Sequence, residues 1–191
     1  MKKIFFIIVL FFGYLSSLNA ETKRIVSGND EAKITIIAYE SLTCSHCANF
    51  HKDVYPQLKK DYLDTGLAKI EFRHFPLDVA AFNASKISQC KIDQSLEILQ
   101  SLYSNQQAWV KGSTIDEVNG HLKEFIEKEG YKIDFEKCIN DKEIEDFILN
   151  DRIEGAKKFK VNATPTIIIN NEKFEKSLNY KNLKKSLEKL I

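Results

Sequence analysis

The sequence predicts an α/β fold into which a block of helices is inserted. Strand-like stretches occur at 33–40 and 67–75, and the strand pattern returns at 166–169. Between the last two, residues 78–157 show apolar side chains at helical spacing, so the helices form one block instead of alternating with strands. The chain therefore divides into a signal segment at 1–20, a leader at 21–32, an α/β domain at 33–77 and 158–191, and an inserted helical domain at 78–157.

The first strand-like stretch, KITIIAYE at 33–40, is rich in β-branched and aromatic residues. Apolar residues then recur at helical spacing over 45–64, with Pro56 as a predicted kink, and Gly66 ends this helix. Alternation of apolar and charged residues at 67–75 predicts a second strand. Together these stretches form a β-α-β unit.

The inserted block predicts three helices, and the chain then returns to the sheet. The helices pass through Ile87, Ile92, Leu96 and Leu99, through Leu122, Phe125 and Ile126, and through Ile144, Phe147, Ile148 and Ile153. After the strand at 166–169 we expect a hairpin at Asn170-Asn171, a short strand at 173–175 and a final helix at 180–191. We assign Trp109, Phe125 and Phe147 to the core, and His51, His74 and His121 to solvated or capping positions.

Composition and charge narrow the function. The chain has 191 residues, 28 basic and 27 acidic, for a formal net charge of +1. Such a balance provides no positive field that would attract nucleic acid, so we expect no nucleic-acid partner. A chain of this length can bury a core without a dense disulfide scaffold, so each of the four cysteines must be accounted for separately.

Residues 1–20 have the pattern of a secretory signal peptide. Lys2 and Lys3 precede an apolar run, and small and polar residues follow up to Ala20, where we expect cleavage. The run of about 12 residues would span roughly 18 Å as a helix, short for a hydrocarbon core of about 30 Å. The alternative is an uncleaved amino-terminal anchor. Export would place the cysteines where disulfides persist.

The motif Cys44-Ser45-His46-Cys47 lies where a predicted strand gives way to a helix. The free backbone N–H groups of a helix start favour a thiolate at Cys44, and His46 can add a hydrogen bond or a positive charge. Cys47, deeper in the helix, would be the resolving thiol. Stabilising the thiolate makes the disulfide form a stronger oxidant. We therefore expect Cys44 and Cys47 to form a redox-active disulfide.

Haem attachment, zinc binding and a structural disulfide each fit the motif less well. Haem attachment requires a histidine directly after the second cysteine, where Ala48 stands. Zinc needs four ligands, and only His46 and His51 are near, while Cys90 and Cys138 form no second C-x-x-C. A purely structural disulfide would close a very short loop and gain little stability. We expect no metal and no cofactor.

The motif, the β-α-β unit, the helical block and Thr164-Pro165-Thr166 occur in an order that resembles the DsbA-like branch of the thioredoxin superfamily, over residues 30–191. The resemblance implies a thioredoxin-like fold with an inserted helical domain, and thiol-disulfide exchange in the periplasm. It also implies that Pro165 is cis and faces the cysteine pair, while the backbone of Thr164 pairs with an extended substrate segment.

The sequence departs from the family at one position. Many relatives carry an acid six residues before the nucleophile, where it assists proton transfer from the resolving thiol, and here that position is Ala38. Glu40 lies two residues later on the same strand face, and it either replaces the acid or is a solvated strand end. Thr164 does not decide between an oxidase and an isomerase, because the residue before this proline varies between the two.

The remaining cysteines, Cys90 and Cys138, lie in the helical block. In an exported protein two leftover cysteines favour a structural disulfide, and the alternative is a pair of buried free thiols.

The sequence thus predicts an exported thiol oxidase that introduces disulfides into unfolded, cysteine-containing exported polypeptides. By resemblance, a DsbB-like, quinone-linked membrane oxidase would reoxidise it. The alternatives are a periplasmic isomerase or reductase, and a chaperone-like binder of unfolded chains. About a dozen residues separate the expected cleavage site from the first strand, which argues against an isomerase because it leaves no room for the separate dimerisation domain that many isomerases carry. We expect a monomer.

Overall fold

The structure, a computed structural model, describes residues 22–191. The predicted signal segment at 1–20 lies outside the described residues. Within the described part of the chain, no helix is both long enough and apolar enough to cross a membrane.

A five-stranded mixed sheet forms the centre of the fold, in the order β1-β3-β2-β4-β5. The β2 and β3 strands are parallel, and the other neighbouring pairs are antiparallel. The parallel pair confirms the predicted β-α-β unit. The strands are β1 Ile25–Gly28, β2 Ile34–Glu40, β3 Ala68–His74, β4 Thr166–Ile169 and β5 Glu172–Lys173.

One continuous helical stretch, the 45–63 helix, connects β2 to β3. It begins with α1 (Ser45–Asn49), continues through a π-helical turn at Phe50–Val54 into α2 (Tyr55–Leu58), and ends in a second π-helical turn at Lys59–Leu63. Pro56 lies in the first turn of α2, where its missing N–H is tolerated best.

The block between β3 and β4 is entirely helical. Its elements are α3 Val79–Gln89, a 3₁₀ turn at Ile92–Gln94, α4 Ser95–Ser104, α5 Gln106–Trp109, α6 Ile115–Lys128, α7 Phe135–Ile139 and α8 Lys142–Phe159. Asp78 caps the start of α3 by accepting from the Ala81 N–H at 2.7 Å. Thr114 and Glu117 form a capping box at the start of α6.

Strand alternation separates two apolar cores. Ile36 and Ala38 of β2 belong to the larger core, which also contains residues of the 45–63 helix and of α3 to α7. Ile37 and Tyr39 belong to the smaller core, with Phe159 at the end of α8. Successive strand residues point to opposite faces, so the two cores lie on opposite faces of the sheet. The last residue of β2, Glu40, falls on the face of the larger core.

The structure corrects the predicted leader and the first inserted helix. The leader at 21–32 contains β1, whose Ile25 is buried and pairs with Phe72. Four residues among polar neighbours are too few to reveal a strand by periodicity. The first inserted helix is two helices, because α3 ends at Gln89 and the chain resumes after the 3₁₀ turn.

Smaller differences concern ends and one aromatic residue. The helix α9 (Tyr180–Leu187) ends earlier than predicted. The short strand β5 covers only two residues and begins one residue before the predicted strand at 173–175. The predicted hairpin is present, with Asn170 and Asn171 both at positive φ. Phe147, expected in the core, is only partly buried and belongs to neither core, and the Arg24 guanidinium lies over its ring, 5.0 Å from the centroid.

Candidate active site

Cys44 and Cys47 occupy different environments at the start of the 45–63 helix. Cys44 is the N-cap, with extended backbone, and its carbonyl accepts from the N–H groups of Cys47 and Ala48 at 3.1 and 3.2 Å. Its side chain is partly exposed, whereas Cys47 lies within the larger core at 0% exposure. Both are free thiols in this structure. An incoming reactant can therefore reach the sulfur of Cys44 but not that of Cys47.

The two thiols have opposite acidities. A hydrogen bond from the Cys47 thiol is the largest cause that lowers the pKa of Cys44, to about 5, and the backbone N–H groups of Cys47 and His46 contribute further. Burial raises the pKa of Cys47, and both the hydrogen bond to Cys44 and the nearby charge of Glu40 raise it further. At neutral pH the outer sulfur is a thiolate and the inner sulfur keeps its proton.

The Thr164-Pro165 segment lies directly against the outer sulfur. The peptide bond between these residues is cis. The Cys44 Sγ lies 3.3 Å from the Thr164 carbonyl oxygen, to which it donates a hydrogen bond while it is a protonated thiol, across 120 positions of sequence. The start of β4 and the start of the 45–63 helix thus form one surface.

His46 acts through its backbone in this arrangement. Its side chain is exposed, and within the described chain it makes no hydrogen bond to Cys44. The His46 N–H helps to lower the pKa of Cys44, and a contribution from the charge of its side chain stays a prediction.

Two contacts from the helical block hold the cysteine loop. The Gln106 side chain in α5 donates to the carbonyls of Leu42 and Cys44, at 2.7 and 3.1 Å. The Thr43 hydroxyl donates to the Asp78 carboxylate at 2.6 Å, just before α3. The sequence shows no sign of these contacts, because neither residue belongs to a motif.

Glu40 is not a solvated strand end. The Glu40 side chain is 3% exposed, and its Oε2 atom lies 2.9 Å from the ring Nε2 of His51. The expectation that His51 is solvated or capping is wrong, since its side chain is 4% exposed. The signal for its burial is its position four residues after Cys47, because residues at that spacing share a helix face. Ala38, where relatives carry an acid, is fully buried.

His74 is also buried, against expectation, whereas His121 is partly exposed. The His74 ring lies 3.1 Å from the Gln89 amide nitrogen. Burial, with the charge of Arg24, lowers the pKa of His74 to about 3, so it is neutral. His121 lies on α6 within 3.8 Å of Glu124.

A disulfide joins Cys90, at the end of α3, to Cys138 in α7, with the Cα atoms 5.6 Å apart. It lies within the helical block, and Cys138 is part of the larger core.

The fold and site together define the class: a thioredoxin-like sheet that carries a partly exposed thiolate and a buried thiol at a helix start. A family model described as thioredoxin matches residues 20–189. A solved structure, the α-DsbA1 protein of Wolbachia pipientis, superposes with a TM-score of 0.78 and 31% identity, covering 87% of this chain and 90% of that one. The chain belongs to the thioredoxin family and, within it, to the DsbA-like branch.

Curated relatives agree with this family. Disulfide bond formation protein D of Bacillus subtilis is 25% identical over 181 residues, covering 86% of this chain and 75% of that protein. A relative from Rickettsia prowazekii, named as a protein-disulfide oxidoreductase, is 26% identical over 170 residues, or 87% of this chain. The match spans only 61% of that Rickettsia protein.

Proposed function

We propose that this protein is an exported thiol:disulfide oxidoreductase that introduces disulfides into other proteins through Cys44 and Cys47. The proposal rests on the difference in accessibility and in pKa between the two sulfurs. Cys44 is accessible and its pKa is lowered to about 5, while Cys47 is fully buried and its pKa is raised. A thiol-disulfide exchange centre needs one reachable sulfur that leaves readily as a thiolate and one sheltered sulfur that closes the disulfide.

The cycle begins from the Cys44–Cys47 disulfide. A substrate thiolate attacks the Cys44 Sγ, a mixed disulfide forms, and Cys47 leaves as a thiolate that takes up a proton. A second substrate thiolate then attacks the substrate sulfur, the substrate disulfide forms, and Cys44 leaves as a thiolate. Two electrons pass to the enzyme, which ends as the dithiol. A low leaving-group pKa makes the last step favourable.

Thr164 and Pro165 complete the proposed substrate site. The Thr164 carbonyl oxygen lies 3.3 Å from the Cys44 Sγ, so a chain held against this backbone lies beside the reacting sulfur. Recognition through the backbone suits unfolded chains of any sequence. We assign Thr164 to backbone pairing with substrate and Pro165 to shaping that surface.

The same proposal includes location and partners. The signal-like residues 1–20 support export to the periplasm, where disulfides persist in newly folded polypeptides that contain cysteine. The dithiol left after each cycle requires an oxidant, for which we propose a DsbB-like membrane oxidase linked to quinone.

The experiment mixes the oxidised protein with a reduced peptide that carries two cysteines, and follows both by mass spectrometry. We expect one peptide disulfide per protein dithiol. Cys44→Ser should abolish the transfer. Cys47→Ser cannot form the active-site disulfide and should transfer none, but its Cys44 thiolate should attack the oxidised form of the peptide and form a mixed disulfide. A scrambled-disulfide substrate tests the isomerase alternative. If the Cys44→Ser protein binds unfolded chains as well as the original and the original transfers no disulfide, the protein is a binder and the proposal fails.

A further inference from the structure

We propose that His51 and Glu40 act as one buried proton acceptor that ionises Cys47 when the enzyme is reoxidised. The inference rests on the proposed function, and it assigns to His51 a role in the half of the cycle in which Cys47 must lose its proton. His51 acts on Cys47 through Glu40, as a positioning and proton-holding residue.

The fold brings the three side chains to one place. His51 follows Cys47 by four residues in the 45–63 helix, so both face the sheet. Glu40 ends β2 on the face that this helix covers. The Glu40 Oε2 and His51 Nε2 atoms are 2.9 Å apart, and the side chains are 3% and 4% exposed. Bulk water therefore cannot serve as the immediate proton acceptor for Cys47.

The surroundings of the pair are mostly aromatic. The His51 ring stacks on Tyr103 of α4, with centroids 4.2 Å apart, and lies against Tyr55 of its own helix and Phe72 of β3. Burial raises the pKa of Tyr103 well above its usual range, and the charge of Glu40 raises it further, so this phenol stays protonated. Tyr103 therefore stays neutral, and the charges that change during the step are those of Glu40, His51 and the two cysteines.

The pair has unused capacity for hydrogen bonds. Among the described residues, the buried His51 Nδ1 has no hydrogen-bond partner, whereas Glu40 also interacts with the hydroxyl of Tyr103. Buried polar atoms in pairs that serve only packing are normally satisfied. An unpartnered ring nitrogen on a hydrogen-bonded pair fits a group that gains and loses a proton.

Charge conservation explains why a pair is needed. With Glu40 ionised, a Cys47 thiolate would put two negative charges in one desolvated pocket, and the charge of Glu40 indeed raises the pKa of Cys47. If the Cys47 proton moves to the pair, Cys47 gains one negative charge and the pair loses one. The total charge of the pocket is unchanged. The hydrogen bond between Glu40 and His51 lets the two side chains share the proton that Cys47 gives up.

The reoxidation step conserves protons and electrons. Cys44 is joined to a sulfur of the oxidising partner, and the pair takes the proton from the Cys47 thiol. The Cys47 thiolate attacks the Cys44 Sγ, the Cys44–Cys47 bond forms, and the bond to the partner breaks. The partner sulfur leaves as a thiolate, and the pair later releases its proton to solvent.

The test separates the Cys44 step from the Cys47 step. Ellman's reagent is added to the reduced protein. Cys44 attacks its disulfide, which releases one thionitrobenzoate and leaves the other bound to Cys44 as a mixed disulfide. Cys47 then attacks the Cys44 Sγ and releases the second thionitrobenzoate. We expect His51→Gln to leave the first release unchanged. The second release should slow by about 100-fold near neutral pH, in the range of general acid-base effects. In the variant, the rate of the second release should also rise about tenfold for each unit by which the pH is raised, because hydroxide replaces the pair as the proton acceptor.

The matched control is His121→Gln, which removes a partly exposed histidine on α6 and should change neither step. A missing first release would refute the proposed function itself. A normal first release with an unchanged pH profile of the second in a folded His51→Gln protein would overturn only the inference. If that variant does not fold, the pH profile of the second release in the unmodified protein decides. Near neutral pH its rate should rise by much less than tenfold per pH unit, because the pair and not hydroxide takes the proton, and a tenfold rise per pH unit would overturn the inference.

Discussion

Acid should destabilise the reduced protein more than it destabilises a Cys44→Ser variant. The surroundings of Cys44 lower its pKa from an ordinary 9.0 to about 5. A group whose pKa is lower in the folded state adds stability above that pKa, because folding then favours loss of its proton. This contribution is present at alkaline pH and is lost as pH falls towards 5. Serine keeps the size of the side chain but carries no such charge.

The size of the effect follows from the same pKa. Between about pH 5 and about pH 7, the folded thiol ionises while the unfolded thiol does not, which is worth about 2 kcal/mol. Because Cys44 is partly exposed, water screens this contribution, and we take half, about 1 kcal/mol. The difference in unfolding free energy between the two proteins should therefore grow by about 1 kcal/mol over this interval, and should keep growing up to about pH 9.

The assay is urea unfolding under reducing conditions, followed by the fluorescence of Trp109, which is fully buried. Taking the difference between the two proteins at each pH cancels most of the contribution of the histidines and carboxylates that they share. A difference that stays constant from about pH 5 to about pH 9, or that shrinks as pH rises, would refute the assignment of the thiolate to Cys44.

Two further predictions concern stability. Gly155→Ala should destabilise the protein by about 2 to 3 kcal/mol, because a Cβ there would lie 2.7 Å from the buried ring of Tyr39. Gly120→Ala has open space and should be neutral or stabilise by up to about 1 kcal/mol, so equal urea midpoints for the two variants would contradict this packing. Replacing both Cys90 and Cys138 by alanine removes a crosslink over 48 positions and should cost about 4 kcal/mol, without changing the rate of Cys44 alkylation. Calorimetry of the oxidised proteins measures the loss of stability, and a slower alkylation would show that the crosslink shapes the active site.

The pattern of apolar residues predicted most of the fold because its main strands and helices bury one face over many residues. The β3 strand and the long helix α8 are of this kind. The β1 strand was not predicted because Ile25 is its single fully buried side chain and the surrounding segment is polar, so no alternating pattern is present. The break after Cys90 was not predicted because apolar spacing continues on both sides of it.

The sequence predicted only part of the candidate site. Local motifs identify Cys44, Cys47 and Pro165, because their spacing along the chain carries the signal. The contact between Glu40 and His51 could not be predicted, since it depends on how the 45–63 helix lies across the end of β2. The spacing of His51 from Cys47 indicates that its ring is buried, but it does not indicate that the ring meets a carboxylate.

The reduction potential of the Cys44–Cys47 pair tests the central claim most directly. The protein is equilibrated in glutathione buffers, and each cysteine is read by alkylation and mass spectrometry. Stabilisation of the Cys44 thiolate favours the dithiol, so we expect an oxidising potential, near the value of about −120 mV typical of DsbA. A potential near about −270 mV, typical of thioredoxin, would contradict the account and indicate a reductase.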